Sequence, residues 1–149
     1  MIQRVQTLFL LAIAALSLLL FFFPFAQINI GDSKYLITLM PGCLKTMVKF
    51  FIYVPIGLNC IIIGLSLYTI SKYKRRKKQV KFAQLLMLLS AFLIGSLFTM
   101  NFMKPGEILP VMDFKAVAFV PAINIVLAFL ARWFIKKDED LVRSADRIR

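Results

Sequence analysis

The chain has 149 residues, 60% of them hydrophobic, with a mean hydropathy of +0.82 and a formal net charge of +12. That apolar load excludes a soluble domain, and the length leaves room for one domain only. With no histidine anywhere, a histidine-based metal site or catalytic triad is excluded as well.

Four apolar spans succeed one another, at about residues 7–25, 50–70, 82–103 and 117–135. At ~1.5 Å per residue each is long enough to cross a hydrocarbon core of ~30 Å. The only Lys, Arg, Asp or Glu inside them is Arg132, near the end of the fourth. Lipid offers no partner to an open backbone, so the spans are expected to be helices. The predicted fold is an all-α membrane protein, a four-transmembrane-helix bundle. The first span is expected to be retained, because its apolar core exceeds the ~7–15 residues of a signal peptide and no small-x-small site follows Phe25.

In the first outer loop, Ile28 and Ile30 alternate with polar neighbours, Gly31-Asp32-Ser33 is a turn signal, and Lys34 to Leu39 reads as a returning strand. A small β-hairpin is expected there. Cys43 lies in this loop and Cys60 deep in the second span, a separation that argues against a disulfide. The second outer connection holds Pro105-Gly106 and Pro110 and should be turn-rich, with Asp113 as a cap for the fourth helix.

Lys72, Lys74, Arg75, Arg76, Lys77, Lys78 and Lys81 crowd between the second and third spans. With Arg4, Arg132, Lys136, Lys137, Arg143, Arg147 and Arg149 they make 14 cations on one side, against five on the other. The positive-inside rule then puts both termini in the cytoplasm. The seven-cation stretch is expected to touch anionic lipid at the inner leaflet, or an acidic partner. Nucleic acid is not an expected partner, since only Tyr73 and Phe82 are at hand for stacking.

Within the spans, Gly57, Cys60 and Gly64, then Ala91, Gly95 and Thr99, then Ala118, Ala122, Ala128 and Ala131 form small-residue stripes, expected to pack inside the bundle, the alternative being that one stripe docks a partner's helix. Asn59 and Asn124 are the strongly polar groups at depth, each shortly after a Val-Pro pair (Val54-Pro55 and Val120-Pro121). An amide so placed can satisfy a carbonyl freed by the proline or bridge two helices. The repeated Lys-x4-Val-Pro spacing, with Gln6 and Gln79 entering the first and third spans, hints at two related helical hairpins. No serine in a span has a charged base beside it in sequence, and no cofactor or metal site is legible; no enzymatic activity is expected.

Residues 136–149 read as a cytoplasmic amphipathic helix. Acids open it and arginines close it, matching the helix dipole, and Leu141, Val142, Ala145 and Ile148 form its apolar face. A merely solubilising tail needs no such face, so this one is expected to dock on a partner or the membrane surface.

The opening Met1-Ile2-Gln3-Arg4-Val5-Gln6-Thr7, the entry Arg76-Lys77-Lys78-Gln79-Val80-Lys81 and the ending Ile135-Lys136-Lys137-Asp138-Glu139-Asp140-Leu141-Val142-Arg143-Ser144-Ala145-Asp146-Arg147-Ile148-Arg149 together resemble an uncharacterised family of small four-pass inner-membrane proteins of Bacteroidota. The resemblance implies a bacterial inner membrane and supplies no reaction. The expected role is a non-enzymatic structural or accessory subunit of a larger membrane assembly. The alternative is a small homo-oligomeric transport or permeation protein, with Asn59 and Asn124 on its polar path.

Overall fold

A computed structural model describes residues 2–30, 33–39, 49–72, 76–102 and 113–146. Its helices are α1 (Ile2–Phe22), α2 (Lys49–Ser71), α3 (Arg76–Phe102) and α4 (Val120–Asp146), the last entered through a 3-10 turn at Ala116–Phe119. All four are long and apolar enough to cross a membrane. Two boundaries differ from those expected. α3 starts at Arg76, so half of the basic stretch is its first turns, because Lys, Arg and Gln are good helix formers. α4 does not stop at Ile135; it runs unbroken through the tail to Asp146. The tail is therefore an extension of the fourth span and not a separate helix. Its Lys, Asp and Glu residues cost a helix little, and Glu139 and Arg143 stand at the favourable i, i+4 spacing.

Each helix buries a stripe that advances by alternate steps of four and three residues. In α1 it comprises Gln6, Leu10, Ile13, Ser17 and Leu20; in α2, Pro55, Asn59, Ile62, Ser66 and Thr69. α3 buries Gln79, Ala83, Leu86, Ser90, Leu93 and Leu97, and α4 Pro121, Asn124, Ala128, Ala131 and Ile135. This is a seven-residue repeat, whose 3.5-residue period winds helices into a left-handed bundle of shallow crossing angle. α1 packs on α2 and α4, and α3 on the same two, so the four form a closed ring around the stripe. The stripes of α1 and α3 coincide at an offset of 73 residues, with Gln6 matching Gln79 and Ser17 matching Ser90. At an offset of 66, Pro55, Ile62 and Thr69 match Pro121, Ala128 and Ile135.

Only 28–33% of each span is buried. The rest is an apolar exterior, with Leu8, Phe22 and Phe92 more than 60% exposed. So much apolar surface is untenable in water and is what a bilayer solvates. The small-residue stripes of α2 and α3 belong to this exterior, which corrects the expectation that they pack inside. Gly57, Cys60, Gly64, Ala91, Gly95 and Thr99 are all exposed. Nothing lies within 4 Å of where a Cβ on Gly57, Gly64 or Gly95 would stand. The seven-residue seam runs along the opposite face of each helix. On α4 the stripe is split: Ala128 and Ala131 are fully buried, and Ala122 is exposed.

One end of the bundle is closed by a small sheet of order β2-β1-β3, with β1 at Ala26–Ile30, β2 at Ser33–Ile37 and β3 at Asp113–Phe114. β1 pairs antiparallel with both neighbours, setting Ala26 opposite Ile37 on one side and Phe114 on the other. Phe25, Ala26, Ile37 and Leu39 are buried in the same core cluster as Leu20, Leu93, Leu97 and Val120. Phe114 adds a ring contact to Phe98, centroids 4.9 Å apart. The sheet is thus a lid of apolar side chains on the helix ends. Asp113 belongs to it, opposite Gln27, two residues before the position that precedes the 3-10 turn. The residue before the 3-10 turn is Lys115, which makes no side-chain capping bond.

Candidate functional site

Polar side chains meet between helices at two levels of the buried seam; Ser66, also buried, lies between them and closes on the Ile63 carbonyl of its own helix. The first is set by Ser17. Asn59 of α2 donates its Nδ2–H to the Ser17 carbonyl oxygen at 2.9 Å, and Asn124 of α4 donates its Nδ2–H to the Ser17 hydroxyl at 2.9 Å. Ser17, Asn59 and Asn124 are each fully buried. Three helices are therefore pinned at one residue of α1. Such bonds are worth about 0.6–2 kcal/mol each between helices in lipid. They also fix the register: a one-turn slide of α2 or α4 would strand an amide in an apolar layer.

Of the two roles open to these asparagines, bridging is the one observed. Neither amide serves its own helix. Pro121 stands in the first turn of α4, where the fixed φ of a proline is tolerated. Pro55 lies inside α2, and Asn59 nevertheless reaches across to α1.

The second level lies about three turns away. Gln79 of α3 donates its Nε2–H to the Thr69 carbonyl of α2 at 3.0 Å. Gln6 is eleven residues before Ser17, as Thr69 is ten after Asn59, so Gln6 shares this level; it is 6% exposed. Between the levels stand Ile13, Ile62, Leu86 and Ala128, all fully buried. This apolar layer separates the two polar ones. The same registration puts the fourth helix into the first level: ten residues along α3 from Gln79 is residue 89, beside Ser90, which is fully buried. Ser17, Asn59, Ser90 and Asn124 thus form one layer, a residue from each helix.

Sequence reading found the two asparagines and missed Ser17 and Ser90, which looked like ordinary helix serines without a catalytic base. The Gln-x10-Ser spacing shared by α1 and α3 was the available signal. Position alone marks Gln6 and Gln79 as entries to their spans.

The basic stretch is only partly described. Lys78 and Lys81 are exposed on the first turns of α3, while Lys72 is half-buried, its Nζ 5.1 Å from the Tyr68 ring centre. Arg76 and Lys77 are in the α3 backbone; Lys74 and Arg75 lie outside the described residues. On α4, Trp133, Lys136, Lys137, Asp140 and Leu141 line a shallow groove, with Lys137 Nζ 5.3 Å from the Trp133 ring centre. Leu141 is 51% exposed. Val142 and Ala145 continue the helix backbone, and Ile148 lies outside the described residues. Among the described residues no group of three or more His, Cys, Asp or Glu could hold a metal ion.

Four helices of membrane-spanning length and apolarity, closed on polar layers and apolar outside, make this a multi-pass membrane protein. Its family follows from comparison: the chain belongs to the family described as Domain of unknown function (DUF4293), whose profile matches residues 2–148. Neither the curated proteins nor the solved structures gave a match.

Proposed function

We propose that the protein is a non-enzymatic accessory or structural subunit of a larger assembly in a bacterial inner membrane, with both termini cytoplasmic. The observation that carries this reading is the continuity of α4. Eleven residues separate Ile135, the last buried position of the seam, from Asp146, the end of the helix. At ~1.5 Å per residue they carry the helix about 16 Å past the last buried position of the seam. A helix joined to the bundle without a hinge presents Trp133, Lys137 and Leu141 in a fixed direction, as a docking element requires. The cations of the α2–α3 junction and of α4 hold the same end against anionic lipid head groups.

Permeation is the weaker reading. Asn59 and Asn124 are engaged with Ser17 of the same chain and sit inside its core, where an oligomer cannot use them to line a shared pore. Along the axis, the layer of Ile13, Ile62 and Leu86 interrupts any polar path within one chain. Intramembrane carboxylates or cations of the kind that carry ions and protons are also missing from the spans, Arg132 lying near the end of the fourth.

The test is a Leu141→Asp substitution at the half-exposed position in the middle of this extension. Tagged protein purified from native membranes in mild detergent should lose at least 90% of its co-purifying partner while its own melting temperature moves by no more than a degree or two. Unchanged recovery of every partner would refute tail docking.

A further inference from the structure

Three atoms in the layer of Ser17, Asn59, Ser90 and Asn124 have no hydrogen-bond partner within the chain: Asn59 Oδ1, Asn124 Oδ1 and Ser90 Oγ. Their residues are all fully buried. Ser90 stands apart from several other hydroxyls of α2 and α3. Ser66, Thr69, Ser71, Ser96 and Thr99 each close on a carbonyl three or four residues earlier in their own helix. Ser90 makes no such bond. The amides are committed as well: each Nδ2 is bonded to Ser17, so each Oδ1 is left to accept from a donor outside the Ser17 contact.

The three atoms cannot satisfy one another. One hydroxyl proton serves one acceptor, and the second amide oxygen is then left bare, its desolvation uncompensated. Closing the layer takes a guest that brings two donors and accepts one bond. We propose that the layer is a binding site for one small neutral hydrogen-bonding molecule, water, held at the axis of the bundle. It donates to Asn59 Oδ1 and Asn124 Oδ1 and accepts from the Ser90 hydroxyl. Three bonds is the ordinary complement of a buried water. A monovalent cation is the competing guest for three oxygens. With no carboxylate in the layer its charge would be uncompensated inside the membrane, which is costly. The water therefore links α3 to the Ser17 node, and all four helices meet through one hydrogen-bonded ring. The apolar layer of Ile13, Ile62, Leu86 and Ala128 shields it on one side, and Leu20 and Leu93 on the other, so its exchange is slow.

The experiment is water-to-protein NOE spectroscopy on the full chain in nanodiscs, with asparagine side chains labelled with ¹⁵N. The side-chain amide protons of both Asn59 and Asn124 should show cross-peaks to water, with the sign of a long-lived bound molecule. Because one molecule serves both, Asn59→Leu should abolish the Asn124 cross-peak, and Ser90→Ala should weaken both peaks together at least twofold. Absence of both peaks from the folded wild-type protein would overturn the proposal. So would an Asn124 peak that is indifferent to Asn59→Leu and Ser90→Ala. Replacing sodium by potassium or by N-methylglucamine should leave both amide shifts in place; a selective shift on exchange would make the guest a cation and overturn water.

Discussion

Replacing Ser17 by leucine is expected to destabilise the bundle more than any other single change in its polar core, by about 2–4 kcal/mol. Two costs combine. Overfilling a packed layer costs about 1–3 kcal/mol. The hydroxyl that accepts from Asn124 is lost as well, for another ~0.6–2 kcal/mol. Ser17→Ala isolates the second cost. Because Asn59 bonds the Ser17 backbone carbonyl and Asn124 its hydroxyl, the pairs should behave differently in double-mutant cycles. Ser17→Ala and Asn124→Ala should be non-additive by roughly the value of one bond, whereas Ser17→Ala and Asn59→Ala should be nearly additive. Unfolding in mixed micelles by a denaturing detergent measures both. Equal coupling in the two cycles would contradict the assignment of the bonds.

The second large effect belongs to α4. Glu139→Pro places a ring in the helix interior, removing a backbone bond and clashing with the carbonyl four residues earlier, for about 3 kcal/mol or more. The damage should stay local, because position 139 lies beyond Ile135, the last residue of the buried seam. Hydrogen exchange of the amides from Asp140 to Asp146 should accelerate at least tenfold, while protection in the four spans is retained. If tail docking depends on a fixed direction, partner recovery should fall as far as with Leu141→Asp, although every side chain of the groove is still present. Full recovery with a kinked tail would mean that the tail docks as a flexible peptide.

The helices were legible because lipid leaves the chain so little choice. About twenty apolar residues without a charge have one conformation available, and four such runs appear plainly in the sequence. Asn59 and Asn124 stood out for the same reason, as amides where the solvent is hydrocarbon. Their partner was not legible. A serine in a helix usually closes on its own backbone, as Ser66 and Ser96 do here, so nothing local marks Ser17 as an acceptor for two other helices. That role exists only once the register of the assembled bundle is set.

The small-residue stripes of α2 and α3 face lipid and not the core: spacing four marks a face without saying which one. The competing seven-residue seam of Leu10, Ile13, Ser17 and Leu20, repeated in α3, decides that Gly57, Gly64 and Gly95 face outward. The limits of α3 and α4 escaped hydropathy because charged residues extend a helix beyond the bilayer as readily as apolar ones do within it. Lys and Glu differ little from Leu in helix propensity.

A docking face at the charged end requires that this end lie in the cytoplasm, and site-directed labelling decides the matter. In a background without Cys43 and Cys60, Ser33→Cys lies on the sheet-capped end and Ser144→Cys at the C-terminal end of α4. With an impermeant maleimide on intact spheroplasts, Ser33→Cys should be labelled at once and Ser144→Cys only after lysis. Labelling of Ser144→Cys in intact spheroplasts, with Ser33→Cys protected until lysis, would invert the protein in the membrane and contradict a cytoplasmic docking role.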